Sequence, residues 1–418
     1  MRHGKGGCRM NYPDLRGLLV CREFLSDPVM LVMGDYLRSS DNVNKRSAAA
    51  AALLAAAERL GLSGNIWRQY LLYILCRGDN VAAAVIEDCG TFGSGLLTAL
   101  QKDMHLLRLY LLAKPSDFRF DSFLDAYEPA APKEYEFLQA LTKVMDSDDA
   151  HDMAEGLLLH YKAYGRGELA RYMAFYVLPT GELKGIENFR HRSWDDLIGY
   201  AMQKEKLMRN TVNFIEGRQA NNVLLTGARG TGKSTAVKAL VYKFHTEGLR
   251  LVQVERGLMN KLPALMEHLS TIKSKKFILF FDDLSFDEDE KEYKYLKSVI
   301  DGGIIPQPDN VVIYATSNRR HLLKETWHDR HDELDEVYRD DSTNESISLS
   351  DRFGLIIHYA APTQDEYLQI IDHELKKEGV VLDSNELRIL GLRWEMEHSG
   401  RNGRIARQFV RWYLGNKK

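Results

Sequence analysis

From residue 223 onward, short apolar runs alternate with longer amphipathic ones. Val223–Leu225, Leu249–Val254, Phe277–Phe281, Val311–Ala315 and Leu355–Tyr359 have the length and character of buried strands. Lys233–Phe244, Leu258–Leu269 and Glu290–Ile300, which lie between them, are spaced as helices. That alternation predicts a parallel α/β sheet. After Pro362 the pattern is helical to the end. Upstream, residues from about 15 to 178 also read as helical. Ala48–Ala57 is nearly all alanine, a strong helix former. Leu96, Leu97, Leu100, Met104, Leu107 and Leu111 recur at helical spacing. Nothing there has catalytic spacing, so the stretch reads as a packing or partner-binding domain. Pro179-Thr180-Gly181 marks a break, and Met202–Gly217 predicts one more helix before the first strand. The expected organisation is a helical N-terminal domain (1–183), an α/β core (184–361) and a helical C-terminal segment (362–418).

Composition narrows the class only a little. The chain has 418 residues, 44% hydrophobic and 28% charged, which suits two or three globular domains. Its net charge of −3 gives no overall nucleic-acid footprint. The four cysteines, Cys8, Cys21, Cys76 and Cys89, form no CxxC pair, so reduced thiols in a cytoplasmic protein are expected. No apolar run reaches the ~18 residues of a membrane helix. The start is basic, but Arg16 and Arg22 interrupt the apolar run after it, against a signal peptide. The first ten residues read as disordered, with Met10 and Met30 as alternative starts.

The chemistry is concentrated after the first strand. Gly227-Ala228-Arg229-Gly230-Thr231-Gly232-Lys233-Ser234, followed by Thr235 and a helix-forming run, is GxxxxGKS in a strand–loop–helix context. Glycines there let backbone N–H groups turn toward one centre and cradle phosphates. Lys233 can reach the β- and γ-phosphates, and Ser234 can ligate Mg²⁺. The bland alternative is a glycine-rich turn with a solvated lysine. Phe277–Phe281 ends in Asp282 and Asp283. An acid at such a strand end can hold Mg²⁺, and the next can orient or deprotonate a water; Asp282 is assigned to the metal and Asp283 to the water. Their bland reading is strand capping. Asn318 follows another apolar strand and is placed near the γ-phosphate, although an asparagine there is often a turn former. Arg352, just before the last strand, can fork onto phosphate oxygens or simply pair with an acid. Arg404, Arg407 and Arg411 share one helix face. Arg404 is the candidate second phosphate contact, Arg401 the runner-up, and the others read as a solvated or interface face. His321, His328 and His331 lie near Asp329 and Asp332, but in an acidic insertion, and are not taken as a metal site. Asp287–Glu290 reads as a solvated helix start.

In this order the parts resemble an AAA+ ATPase. Gly227–Ser234 matches Walker A, Phe277–Asp283 Walker B, Asn318 sensor 1, Arg352 the arginine finger and Arg404 sensor 2. Leu197-Ile198-Gly199-Tyr200 looks like the segment that packs on adenine, which puts Ile198 and Gly199 in the nucleotide site. "FFDDLSF", "VVIYATSNRRHL" and "SLSDRFGL" are closest to an uncharacterised prokaryotic AAA+ family of unknown function with predicted ATPase activity. The resemblance covers residues from about 190 to the end. It implies ATP with Mg²⁺, a strand order of 5-1-4-3-2, and a C-terminal helical lid. The usual second Walker B acid is Glu; Asp283 is one methylene shorter, which implies slow hydrolysis. An arginine before the final strand serves a neighbour's ATP in similar proteins, so a homo-oligomeric ring is expected. Two functions follow: a machine that remodels a partner, or an ATP-gated interaction module with little hydrolysis. In either case the helical N-terminal domain would hold the unknown protein partner. Val254–Met259 lacks the aromatic of a threading loop. A nucleic-acid loader stays open through Lys261, Lys273, Lys275 and Lys276, but no helix-turn-helix or RNP signal supports it.

Overall fold

The computed structural model describes residues 12–39, 42–285, 291–300, 306–318, 352–398 and 400–416. The first ten residues, the acidic run at 287–290 and the histidine-containing insertion lie outside them. The chain forms two units: residues up to Arg171 together with Ile272–Lys275, and Tyr172–Thr271 together with the chain from Lys276 onward.

The first unit is helical, as the periodicity predicts. Its helices are α1 (Pro28–Arg38), α2 (Val43–Leu60), α3 (Ile66–Arg77), α4 (Val81–Cys89), α5 (Ser94–Leu112), α6 (Glu136–Val144), α7 (Ala150–Tyr164) and α8 (Gly167–Arg171). The alanine-rich α2 buries Ala49, Leu53, Ala56 and Ala57, one face of a 3.6-residue repeat. Small side chains let it lie close to α1 and α3. Trp67 is fully buried and donates its indole N–H to the Tyr110 carbonyl at 2.8 Å. Asp103, also fully buried, accepts the peptide N–H groups of Leu19, Val20 and Cys21 at 2.8 Å each. Those bonds tie the segment before α1 into the core. Lys275 caps the last turn of α7, donating to the carbonyls of Lys162 (2.5 Å) and Tyr161 (3.4 Å). That arrangement satisfies helix-end carbonyls with a cation. Cys21 and Cys76 are buried and Cys89 is exposed, all as free thiols.

The second unit is built on one sheet. Its strands are β1 (Ala174–Val177), β2 (Leu183–Gly185), β3 (Val223–Gly227), β4 (Leu249–Gln253), β5 (Lys276–Phe281), β6 (Val311–Ser317) and β7 (Leu355–Tyr359), in the order β2-β1-β4-β5-β6-β3-β7. Counted from β3, the five strands expected from sequence lie in the order 5-1-4-3-2, all parallel. Helices α9 (Ala201–Ile215), α10 (Lys233–Phe244), α11 (Leu262–Thr271) and α12 (Lys291–Ile300) belong to this unit. The α-helix α11 starts at Leu262 rather than Leu258. Pro263, which has no N–H, then falls in the first turn, where none is needed, and Arg256–Lys261 forms a 3₁₀ turn before it.

One correction concerns the boundary. Residues 174–177 fall in the stretch read as helical, yet they form β1, parallel to β4, with β2 antiparallel outside it. The sheet is therefore mixed and seven-stranded. Pro179-Thr180-Gly181 is the turn of this hairpin, with Gly181 N–H bonded to Leu178 O at 2.8 Å. The break lies at Arg171, not after residue 183. Strands of four and three residues are too short to show a period of two against a helical background.

β3 and β6 are buried at every position. Strands buried on both faces read as unbroken apolar runs, which is why the sequence showed them clearly. The C-terminal lid is α13 (Gln364–Lys377), α14 (Ser384–Glu397) and α15 (Gly403–Asn416). It has its own apolar cluster, including Tyr367, Ile371, Leu375 and Phe409. No helix among the described residues is long and apolar enough to cross a membrane.

Candidate functional site

The site lies at the C-terminal ends of β3, β5 and β6. Parallel strands bring their C-terminal ends to one edge, where loops and helix N-termini meet. β3 leads into the glycine loop, and α10 begins at Lys233. Gly227 has φ +130°, and a Cβ there would stand 2.0 Å from the Tyr359 carbonyl oxygen. Gly230 has φ +78°, and a Cβ there would meet Asn402 Oδ1 at 2.6 Å. Only glycine allows the loop to pass so close to β7 on one side and the lid on the other.

Lys233 is 6% exposed. Its Nζ donates to the carbonyls of Gly227 and Ala228, each at 2.8 Å, and to Asn318 Oδ1 at 3.1 Å. Burial lowers its pKa, and the charges of Asp283 and Asp282 oppose that shift. Asn318 Nδ2 in turn donates to Asp283 Oδ1. The amide orientation is dictated by its partners, since the ammonium needs an acceptor and the carboxylate needs a donor. Lys233, Asn318 and Asp283 thus form one chain of charge-assisted hydrogen bonds.

Ser234 Oγ donates to Asp282 Oδ1 at 2.5 Å. A hydroxyl and a carboxylate are hard oxygen donors, as Mg²⁺ requires, and Mg²⁺ is commonly held by one or two carboxylates plus substrate phosphates. No cluster of three or more His, Cys, Asp or Glu that could hold a metal occurs among the described residues. Thr316 went unassigned in the sequence reading. Its Oγ1 donates to Asp282 Oδ1 at 2.8 Å and accepts the Asp283 N–H at 2.9 Å. A polar residue closing an apolar strand was the available signal.

A cleft adjoins the loop, walled by Ile198, Tyr200, Gly230, Thr235, Ile370 and Arg407, among others. Ile198 and Thr235, both nucleotide-site candidates in the sequence, line this cleft. Gly199, φ +79°, turns the chain between Ile198 and Tyr200. The lid is fastened along this cleft. Gly403 N–H donates to the Gly230 carbonyl at 3.0 Å. Arg192 holds Glu374 of α13 in a fork, and Asp196 pairs with Lys377.

The lid arginines differ from expectation. Arg404, the sequence candidate, is exposed at the loop end of α15; its Cβ is 3.3 Å from where a Gly230 Cβ would stand. Arg407, read as surface, lines the cleft. Burial lowers its pKa, and the charge of Arg192 adds to the effect. Arg401 instead pairs with Glu395 at 2.6 Å.

Arg352 is set apart from the other candidates. It precedes β7, whose Tyr359 is level with Gly227 and whose Leu355 is level with Val223. The five residues of β7, roughly 13 Å of strand, run between Leu355 and the level of the loop, and Arg352 lies before them. Two of the lysines considered for nucleic acid are also committed elsewhere. Lys275 is buried at the end of α7. Lys276 donates to the Asp309 carbonyl at 3.2 Å and lies over the Phe214 ring.

A family model described as "Protein of unknown function (DUF815)" matches residues 170–417. No curated protein matches the sequence. Among solved structures, the RuvB Holliday junction branch migration motor of Thermotoga maritima is 21% identical, with a TM-score of 0.36, over 53% of this chain and 64% of that one. The HORMA:CdnC:Trip13 complex of E. coli MS115-1 matches at 12% identity and a TM-score of 0.36, over 52% of this chain and 89% of that chain. PCH-2 of C. elegans matches at 16% and 0.33, over 53% and 72%.

Proposed function

We propose, from the premise that this chain belongs to the DUF815 family, that it binds ATP with Mg²⁺, hydrolyses it slowly, and couples the cycle to assembly with a partner. The fold beneath this reading is the AAA+ P-loop type, with strand order 5-1-4-3-2 and a helical lid. One observation carries the reading. Lys233, Ser234, Asp282, Asp283 and Asn318, joined through Thr316, meet in one hydrogen-bonded cluster beside a cleft between the glycine loop and the lid.

The roles follow from chemistry. Backbone N–H groups of Gly227–Gly232 and the start of α10 receive the phosphates. Lys233 exchanges its carbonyl partners for phosphate oxygens. Ser234 and Asp282 would hold Mg²⁺, which would supply positive charge to offset that of the phosphates. Asp283 orients the attacking water and takes its proton, and Asn318 fixes Asp283 while facing the γ-phosphate. Ile198, Gly199 and Thr235 form the nucleoside side of the cleft. Arg404 and Arg407 bring lid charge to the phosphates. Arg352, which lies before β7 and so at the opposite end of that strand from the loop, acts on the ATP of a neighbouring subunit, and such a finger contributes roughly 10³–10⁵ in rate. The active form is then a homo-oligomer, a ring, and the helical unit holds an unidentified protein partner.

The test is ATP turnover per subunit against protein concentration, with sizing in parallel and Lys233→Ala as the blank. A rate that rises with assembly and vanishes in the variant supports the reading. ATP-dependent assembly with almost no turnover would replace it with an ATP-gated scaffold. Equal, negligible binding by both proteins would end it.

A further inference from the structure

We propose that Thr316 is the positioning residue of this site: one buried hydroxyl sets both acids at the end of β5 and so tunes how well the site takes a magnesium–nucleotide. The inference rests on the ATPase reading above and deepens it.

Thr316 is 1% exposed and is the second-to-last residue of β6. In the register it is level with Leu225 of β3, the strand of the phosphate loop. On its other side β6 pairs with β5, the strand of the two acids. Its side chain therefore stands between the two halves of the site. A threonine hydroxyl has one proton to give and lone pairs to receive. Here the proton goes to Asp282 Oδ1 (2.8 Å) and a lone pair takes the Asp283 N–H (2.9 Å). The Thr316 carbonyl also accepts the Leu284 N–H at 2.7 Å, so side chain and backbone together clasp residues 282–284.

Asp283 has φ +57°, in the left-handed region that a non-glycine side chain adopts only when its surroundings impose it. The bond from its N–H to Thr316 is one such constraint. That backbone turn sends the carboxylate to Asn318. An Asp in place of the longer Glu thus reaches the sensor asparagine by a change of backbone direction rather than by side-chain length. The other bond holds Asp282 in the rotamer in which it also meets Ser234. Removing the hydroxyl takes one bond from each acid at once, leaving Asp282 on Ser234 and Asp283 on Asn318, while the loop on β3 keeps its own bonds.

The experiment follows the full-length chain through a Mg²⁺ titration, with two readouts: binding of a fluorescent, slowly hydrolysed ATP analogue, and ATP turnover. Wild type, Thr316→Val, Thr316→Ser and Lys233→Ala are compared, with thermal unfolding as a control. Thr316→Val should bind the analogue in EDTA as wild type does. It should need about 10–100-fold more Mg²⁺ to gain affinity, and lose turnover by a similar factor, as loss of a partner behind a metal ligand commonly does. Thr316→Ser keeps the hydroxyl and should stay within about threefold of wild type in both readouts.

The proposal is overturned if Thr316→Val keeps the wild-type Mg²⁺ requirement and turnover while Lys233→Ala loses both. It is equally overturned if Thr316→Ser falls as far as Thr316→Val, because the methyl and not the hydroxyl would then matter. A wild-type chain that neither binds nor turns over ATP would overturn the ATPase reading itself, a result distinct from either of these.

Discussion

Ser234 Oγ lies 2.5 Å from Asp282 Oδ1, across 48 residues of chain. The first lies in the first turn of α10, after the glycine loop; the second follows β5, two places from β3 in the sheet. Hard oxygen donors from two elements converge because every strand between them runs the same way and ends at the same edge.

That contact predicts a separable metal effect. Ser234→Ala should leave binding of Mg²⁺-free nucleotide within about twofold, since the loop N–H groups and Lys233 remain. The gain in affinity on adding Mg²⁺ should fall by about 10–100-fold. Isothermal titration with EDTA and with Mg²⁺ separates the two. An equal loss in both would assign Ser234 to the loop's shape instead.

Arg352 predicts complementation between subunits. Arg352→Ala and Lys233→Ala should each be inactive alone, the first by about 10³-fold or more. Mixed, they should regain activity, because a Lys233→Ala subunit still lends its arginine to a neighbour with an intact loop. A mixture no more active than its components would remove Arg352 from a neighbour's site.

The lid arginines predict an asymmetry. Arg407→Ala should weaken ATP binding by about 1.5–3 kcal/mol, the value of a hydrogen bond to a charged group. Arg404→Ala, on an exposed side chain, should alter turnover more than affinity. Equilibrium binding beside steady-state turnover for both variants checks this. Larger affinity loss at Arg404 would reverse the assignment.

The helical unit predicts a pH effect with a definite sign. Burial raises the Glu23 carboxyl from 4.5 to about 7, opposed by the Asn80 side chain that donates to it at 2.8 Å. Its folded pKa lies above its unfolded one, so its contribution is fully present below about 4.5 and is lost as pH rises through about 7. The loss is on the order of 3 kcal/mol. Glu23→Gln should therefore raise the melting temperature at pH 8 and change it little near pH 4.5. A variant no more stable at pH 8 would show that Glu23 is not the titrating group.

Much of the α/β core could be read in advance. β7 and α10 have the bounds read from the sequence, and the other core strands differ by one or two residues at their ends. β3 and β6 read clearly because both faces are covered, whereas β7 alternates between buried and exposed positions. The short β1–β2 hairpin could not be separated from the helices before it, for Phe175 and Val177 are apolar whether their period is two or 3.6.

The glycine loop is the part that sequence alone determined. The geometry of GxxxxGKS depends on the backbone of one continuous segment, so it is local and can be read from its residues. What surrounds the loop was decided by tertiary structure. Arg404 and Arg407 are a single turn apart on one helix, and only the docking of α15, through Gly403 on Gly230, determines which of them enters the cleft. Thr316 is an ordinary strand residue until β5 is laid beside β6; then its one hydroxyl lies within reach of two acids that are distant in sequence. Lys275 reads as one of several surface lysines until α7 ends beneath it. A side chain's role here depends on which distant atoms fill the few ångströms around it, and no spacing along the chain specifies that distance.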